Sequence, residues 1–214
     1  WANTPASSEL ISQIANVEVA DLPEEWRRYD VTDETEDGVR YLSAAADVSG
    51  VFSGNILLDG GTLPVESLQD VQTCLRLLGE LDTNSHDKET LSTLLTRYLS
   101  GFSCSLSAAA GYDGAGYYGG SISWLGLAED AEASMALLSE VLFETDFSDA
   151  AAIKSLLTRW NADFLNSLDN NPLTLQLQRC TAMINDYGAY SAYVSAYDMY
   201  AHSLELIALA DADP

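Results

Sequence analysis

The sequence predicts an α+β fold, a mostly antiparallel sheet with helices packed on one face and a C-terminal helical segment. Strand-like runs cluster before residue 60 and again between 102 and 124, whereas apolar spacings of three and four dominate elsewhere. The second pair of runs most simply forms an antiparallel hairpin. Helices segregated from such strands argue against a doubly wound parallel sheet. At 214 residues and 47% hydrophobic composition, the chain can bury ~70% of its unfolded surface without a disulfide or metal staple.

Residues 1–21 read as a lead-in segment or linker, where Leu10, Ile11 and Ile14 suggest a short helix ended by Asp21-Leu22-Pro23. An α+β domain is expected over 22–169, with 170–214 as a helical extension of it. Strands are expected over 39–48 and 51–58, punctuated by turns at Gly38, Gly50 and Gly60-Gly61. Leu68, Val71, Leu75 and Leu78 then mark an amphipathic helix opened by Pro64 and closed near Gly79. Leu91, Leu94, Leu95 and Tyr98 mark a second, with Gly101 just past its end. Phe102, Cys104, Leu106 and Ala108 alternate with serines, and Tyr118, Gly120, Ile122 and Trp124 alternate again after a turn-rich loop at 111–116. Ala131, Met135, Leu138 and Leu142 form the next helical face. Ser148 is the expected cap of a helix carrying Ile153, Leu157, Trp160, Phe164 and Leu168, with Asp149 favourably placed for its dipole. Asn170-Asn171-Pro172 ends that helix and opens another through Leu173, Leu177, Cys180 and Ile184. A tyrosine-rich stripe of Tyr190, Tyr193, Tyr197 and Tyr200, continued by Leu204 and Ile207, completes the chain.

Charge narrows the function classes. There are 33 acidic residues against 9 basic ones, a formal net charge of −24. Such a surface repels nucleic-acid phosphates and anionic membranes, and Lys88 and Lys154 are the only lysines. The carboxylates are spread along the chain, as in a solvated shell. No apolar run approaches the ~20 residues of a membrane span, and no signal-peptide pattern opens the sequence. Cys74, Cys104 and Cys180 are odd in number and contain no Cys-x-x-Cys pair, which argues against a disulfide framework or structural zinc. Buried free thiols and a reducing, cytoplasmic compartment are expected instead. The start at Trp1 and the finish at Asp211-Ala212-Asp213-Pro214 suggest cuts in a longer polypeptide.

Chemistry-bearing constellations are scarce. His86 sits among polar residues at a helix start and reads as a solvated surface histidine. His202 and Glu205 share a helical face, an arrangement zinc peptidases use. The inverted zinc motif needs a second histidine directly after the glutamate, however, and Leu206 stands there. No Gly-x-Ser-x-Gly elbow occurs, and the glycine-rich stretch 111–120 lacks the lysine and hydroxyl of a phosphate loop. No catalytic residue, metal ligand or cofactor is therefore assigned to this chain. Tyr190, Tyr193, Tyr197 and Tyr200, with Tyr187 beside them, are the candidate interdomain or peptide-facing surface, and packing on another domain is preferred to a peptide wall.

Four stretches together resemble one enzyme family. They are Asp21-Leu22-Pro23-Glu24, Leu75 through Leu78-Gly79-Glu80-Leu81-Asp82-Thr83, Ser100-Gly101-Phe102-Ser103-Cys104-Ser105, and Leu138-Ser139-Glu140-Val141-Leu142-Phe143-Glu144-Thr145-Asp146-Phe147-Ser148-Asp149. In order and spacing they look like the presequence-protease branch of the pitrilysin and insulinase-type zinc metallopeptidases, over roughly residues 21–209. The resemblance implies four related α+β domains around a closed chamber, with zinc on a His-x-x-Glu-His helix of the first. This chain has no such motif and is similar to the non-catalytic third domain. Its implied part is to form chamber wall and support binding of unstructured peptides. The implied partners are the parent's other domains, the peptide substrate and, through uncovered surface, a second copy of the chain. Two other readings are a stand-alone inactive partner or scaffold subunit of the same fold, and an unrelated hydrolase whose site assembles only in three dimensions.

Overall fold

The computed structural model describes residues 29–46, 49–110 and 116–212. The chain separates into two compact units after Val48, Trp1–Val48 and Ser49–Pro214. The short helix expected around Leu10–Ile14 lies outside the described residues.

In the first unit, β1 (Val31–Glu36) pairs antiparallel with β2 (Val39–Ala44), Glu36 opposite Val39 and Val31 opposite Ala44. The two-residue turn Asp37-Gly38 takes positive φ at both positions, 50° and 82°. That backbone suits the right-handed twist of a tight hairpin, and glycine adopts it without strain. Arg40 donates through Nε and Nη2 to the two carboxylate oxygens of Asp33, at 2.9 and 2.7 Å. This bond holds the Asp33 carboxyl below its ordinary pKa. The strand expected over 39–48 ends at Ala44, and β1 has no apolar alternation to announce it.

The second unit is built on a three-stranded antiparallel sheet in the order β3-β5-β4. Its strands are β3 (Val51–Asp59), β4 (Ser100–Ala110) and β5 (Gly116–Leu127). The expected hairpin is β4–β5, with Cys104 opposite Ile122 and a register shift between Ser100 and Ser103. The central strand β5 also pairs β3, Ile56 opposite Ile122. Alternation sends Cys104, Leu106, Ile122 and Trp124 to the buried face. The opposite face carries hydroxyls, with Ser103 Oγ 2.9 Å from Ser123 Oγ and Ser121 donating to Asn55 Oδ1 at 3.2 Å.

Three helices cover the buried face: α1 (Leu68–Leu77), α2 (Lys88–Tyr98) and α3 (Ala131–Phe143). Pro64 leads α1 through a 3-10 turn, Val65–Ser67. Asp87 caps α2 by accepting from the Thr90 amide at 2.8 Å. Leu91, Leu137, Leu138 and Val141 meet Ile122 and Trp124 in the main core. Truncating one of these leucines to alanine costs about 2–5 kcal/mol. The face of α3 is rotated from the expected one: Ser134, Leu137, Leu138 and Val141 are buried, whereas Met135 is 50% exposed. Ser134 fits because its hydroxyl donates to the Tyr98 carbonyl at 2.8 Å.

The outer helices are α4 (Ala150–Asn170), α5 (Pro172–Ala182), α6 (Asp186–Tyr193) and α7 (Ala196–Ala212). The cap of α4 is Asp149, which accepts from Ala152 N at 2.9 Å, and not Ser148. Ser148 instead gives its amide to Asp146 Oδ1 at 2.8 Å. Leu156 of α4 packs on Leu77 and Leu81, tying this layer to α1.

Candidate functional site

The tyrosine stripe does not run along one helix. Val194 and Ser195 separate α6 from α7, and Ala196 opens α7 with φ of 46°. Tyr190 and Tyr193 pack against Leu68, Leu106 and Val194, where α6 meets α1 and β4. Tyr197 and Tyr200 instead flank Phe164 of α4, with ring centroids 5.2 and 5.1 Å away. Tyr187 stacks on Tyr118 of β5 at 5.5 Å, and Tyr190 meets the same ring edge-on at 5.3 Å. All five tyrosines are half-buried. Burial pushes the Tyr190 phenol up, and its hydroxyl finds no partner among the described residues.

Polar side chains secure this layer to the sheet. Gln72 of α1 accepts the Leu106 amide at 2.6 Å, satisfying an outward-facing donor on the edge strand β4. Gln69 donates to the Tyr193 carbonyl at 3.0 Å. The other edge strand, β3, pairs with no described strand besides β5.

The predicted apolar face of α5 turns outward. Leu173 is 68% exposed, Leu177 58%, and beyond the helix end Met183 is 89% and Ile184 78% exposed. Cys180 is exposed among them. The helix and its flanks also lack acids: none occurs between Asp169 and Asp186. This acid-free patch stands apart from the acidic character of the chain as a whole.

Neither histidine stands alone. His86 is not merely solvated, since its Nδ1 lies 2.9 and 3.1 Å from the two oxygens of Glu140, which also accepts from the Thr83 hydroxyl. These contacts pin the loop before α2 to α3. His202 Nε2 lies 3.0 Å from Asp70 Oδ1 without hydrogen-bond alignment, and Asp70 on α1, not Glu205, is its charged neighbour.

A family model matches residues 2–206, and its description is of a domain associated with the peptidases of family M16, subfamily C. The chain belongs to that peptidase-associated family. A conserved protein from Enterococcus faecalis, known from a crystal structure, is similar at 15% identity with a TM-score of 0.40. That likeness covers 73% of this chain and 40% of the other, so the chain spans less than half the length of that protein. No curated protein matches.

Membership associates this chain with the M16 peptidases. Among its described residues, no group of three or more His, Cys, Asp and Glu is placed to hold a metal ion. No helix among them is long and apolar enough to cross a membrane. The thiols differ from expectation, because Cys74 and Cys180 are exposed and only Cys104 is buried. Desolvation pushes the Cys104 thiol up to about 12. Sequence reasoning places α5 among packed helices, since its Leu-rich spacing looks the same whether the face turns in or out.

Proposed function

We propose that this chain is a non-catalytic domain of a zinc-dependent endopeptidase, of the presequence-protease branch, that degrades unstructured peptides. In this reading it corresponds to the third of four domains, forms part of the chamber wall and supports peptide binding. Catalytic zinc belongs to another domain of the parent, in a cytoplasmic enzyme. The family match across residues 2–206 carries the reading. The outward apolar face of α5 and the unpaired edge of β3 support it as surfaces on which neighbouring domains of the parent would seat.

The test places Leu177→Glu and Ile184→Glu together in the full-length parent enzyme. Both side chains are exposed here, so the stability of the chain itself should move by no more than about 0.5 kcal/mol. Peptide cleavage by the parent should fall at least about tenfold, because a charged pair replaces an interdomain contact. Unchanged cleavage would remove α5 from the interface.

A further inference from the structure

Cations in so acidic a chain should find carboxylates, and most of the described ones do. Among the described residues Arg40, Lys88, Lys154, Arg159 and Arg179 each pair with an acid. Arg76, in the last turn of α1, has no such partner among them. Its guanidinium lies over the Trp160 ring of α4, 4.0 Å from the centroid. Glu80 and Arg76 line one hollow together, but Glu80 Oε2 accepts from Arg159 at 2.9 Å and lies 3.5 Å from Lys88. Glu80 is thus already shared by two other cations, and Asp163 lines the hollow on the other side of Arg76 without forming an ion pair with it among the described residues. Arg76 is exposed as a residue, yet the surroundings of its head group lower its pKa through desolvation.

Arg76 and Trp160 separate two hollows. One, of about 470 Å³, lies between the ends of α1 and α2 and the start of β4, with Phe102 and Ser103 on its wall. The other, of about 240 Å³, lies between α4 and α7 and is lined by Thr73, Asn161 and Ser203. Asn161 is 9% exposed. Its Oδ1 accepts from the Ser203 hydroxyl at 2.5 Å, while its Nδ2 is buried without a partner among the described residues. Two unpaired donors, the Arg76 guanidinium and Asn161 Nδ2, therefore line the smaller hollow. A guanidinium held over an indole, with no ion-pair partner among the described residues, keeps N–H groups available for a carboxylate, whose two oxygens match its fork.

We infer that Arg76, stacked on Trp160, is a binding point for the carboxylate of a peptide, either its C-terminus or an Asp or Glu side chain. The ring holds the guanidinium in place before the ligand arrives. The larger hollow, with Phe102 on its wall, takes the apolar part of the peptide next to the carboxylate. Long-range repulsion from a −24 chain opposes an anionic ligand, but it is screened beyond ~8 Å at physiological salt. The inference deepens the proposed peptide-binding role and rests on it only for the class of ligand.

The 214-residue chain, labelled with nitrogen-15, is titrated at physiological salt with a short unstructured peptide bearing one free C-terminal carboxylate. A second titration uses the same peptide as its C-terminal amide. The free acid should shift the Arg76 Nε–H and Trp160 indole N–H resonances saturably, and the amide should bind at least about tenfold more weakly. Arg76→Gln should weaken acid binding by about ten- to hundredfold, and Arg76→Lys, which keeps charge but loses the fork, by less. Arg97, stacked over Tyr98, lies outside the hollow, and Arg97→Gln should bind as the unmodified chain does. Retained spectra elsewhere in each variant report that the fold is intact. Equal binding of acid and amide, or undiminished binding by Arg76→Gln, overturns the inference while leaving the family assignment and the chain's zinc content untouched.

Discussion

Trp124 crosses the sheet over Gly54, and the close approach decides what residue 54 can be. A Cβ built at Gly54 would stand 2.2 Å from the indole ring, which is held between β3 and the α3 core. The ring belongs to the same packed core as Leu138 and Val141, both almost wholly buried, which leaves it little room to retreat. Gly54→Ala should therefore destabilise the domain by about 1–3 kcal/mol through overpacking, read as a lower midpoint in urea denaturation. An unchanged midpoint would mean that the indole has room to move. The same scale separates the thiols. Cys104 is locked in the sheet with its pKa raised to about 12, whereas Cys180 stands on an open helix.

At the scale of elements, helix ends and helix faces carry different amounts of information. The start of α4 rests on one carboxylate: Asp149 accepts the Ala152 amide, and Ser148 makes no such bond. Asp149→Ala should cost about 1 kcal/mol and Ser148→Ala less than about 0.5 kcal/mol in thermal or urea unfolding. The reverse order would restore Ser148 as the cap. Strands β4 and β5 are legible because serines alternate with apolar residues, so only one face can be dry. The face of α3 is not. Met135, Leu137, Leu138, Val141, Leu142 and Phe143 surround most of the helix, and several rotations satisfy such a pattern. Strand β1 escapes notice because Thr32, Asp33, Glu34 and Thr35 show no apolar alternation, and its pairing comes from the Asp37-Gly38 turn. The tyrosines are visible as residues, but the break at Val194 and Ser195, which sends Tyr190 and Tyr197 to different neighbours, is not. Partners remote in sequence, such as Glu140 for His86 and Trp160 for Arg76, leave no trace in local spacing.

For the whole molecule, charge and exposed apolar surface point the same way. A net charge of −24 makes copies of the chain repel one another at long range. The acid-free stretch from Asn170 to Asn185, with its outward leucines, is the place where that repulsion is weakest. A peptidase-associated chain with such a patch fits a part that works against other domains of the parent. The His86–Glu140 and His202–Asp70 pairs each involve one histidine, and neither supplies the three protein ligands that a catalytic zinc takes. The purified 214-residue chain, incubated with zinc and dialysed, should retain well under one zinc per chain and leave an unstructured peptide uncut. Stoichiometric zinc, together with cleavage that is lost on chelation and restored when zinc is returned, would contradict the account.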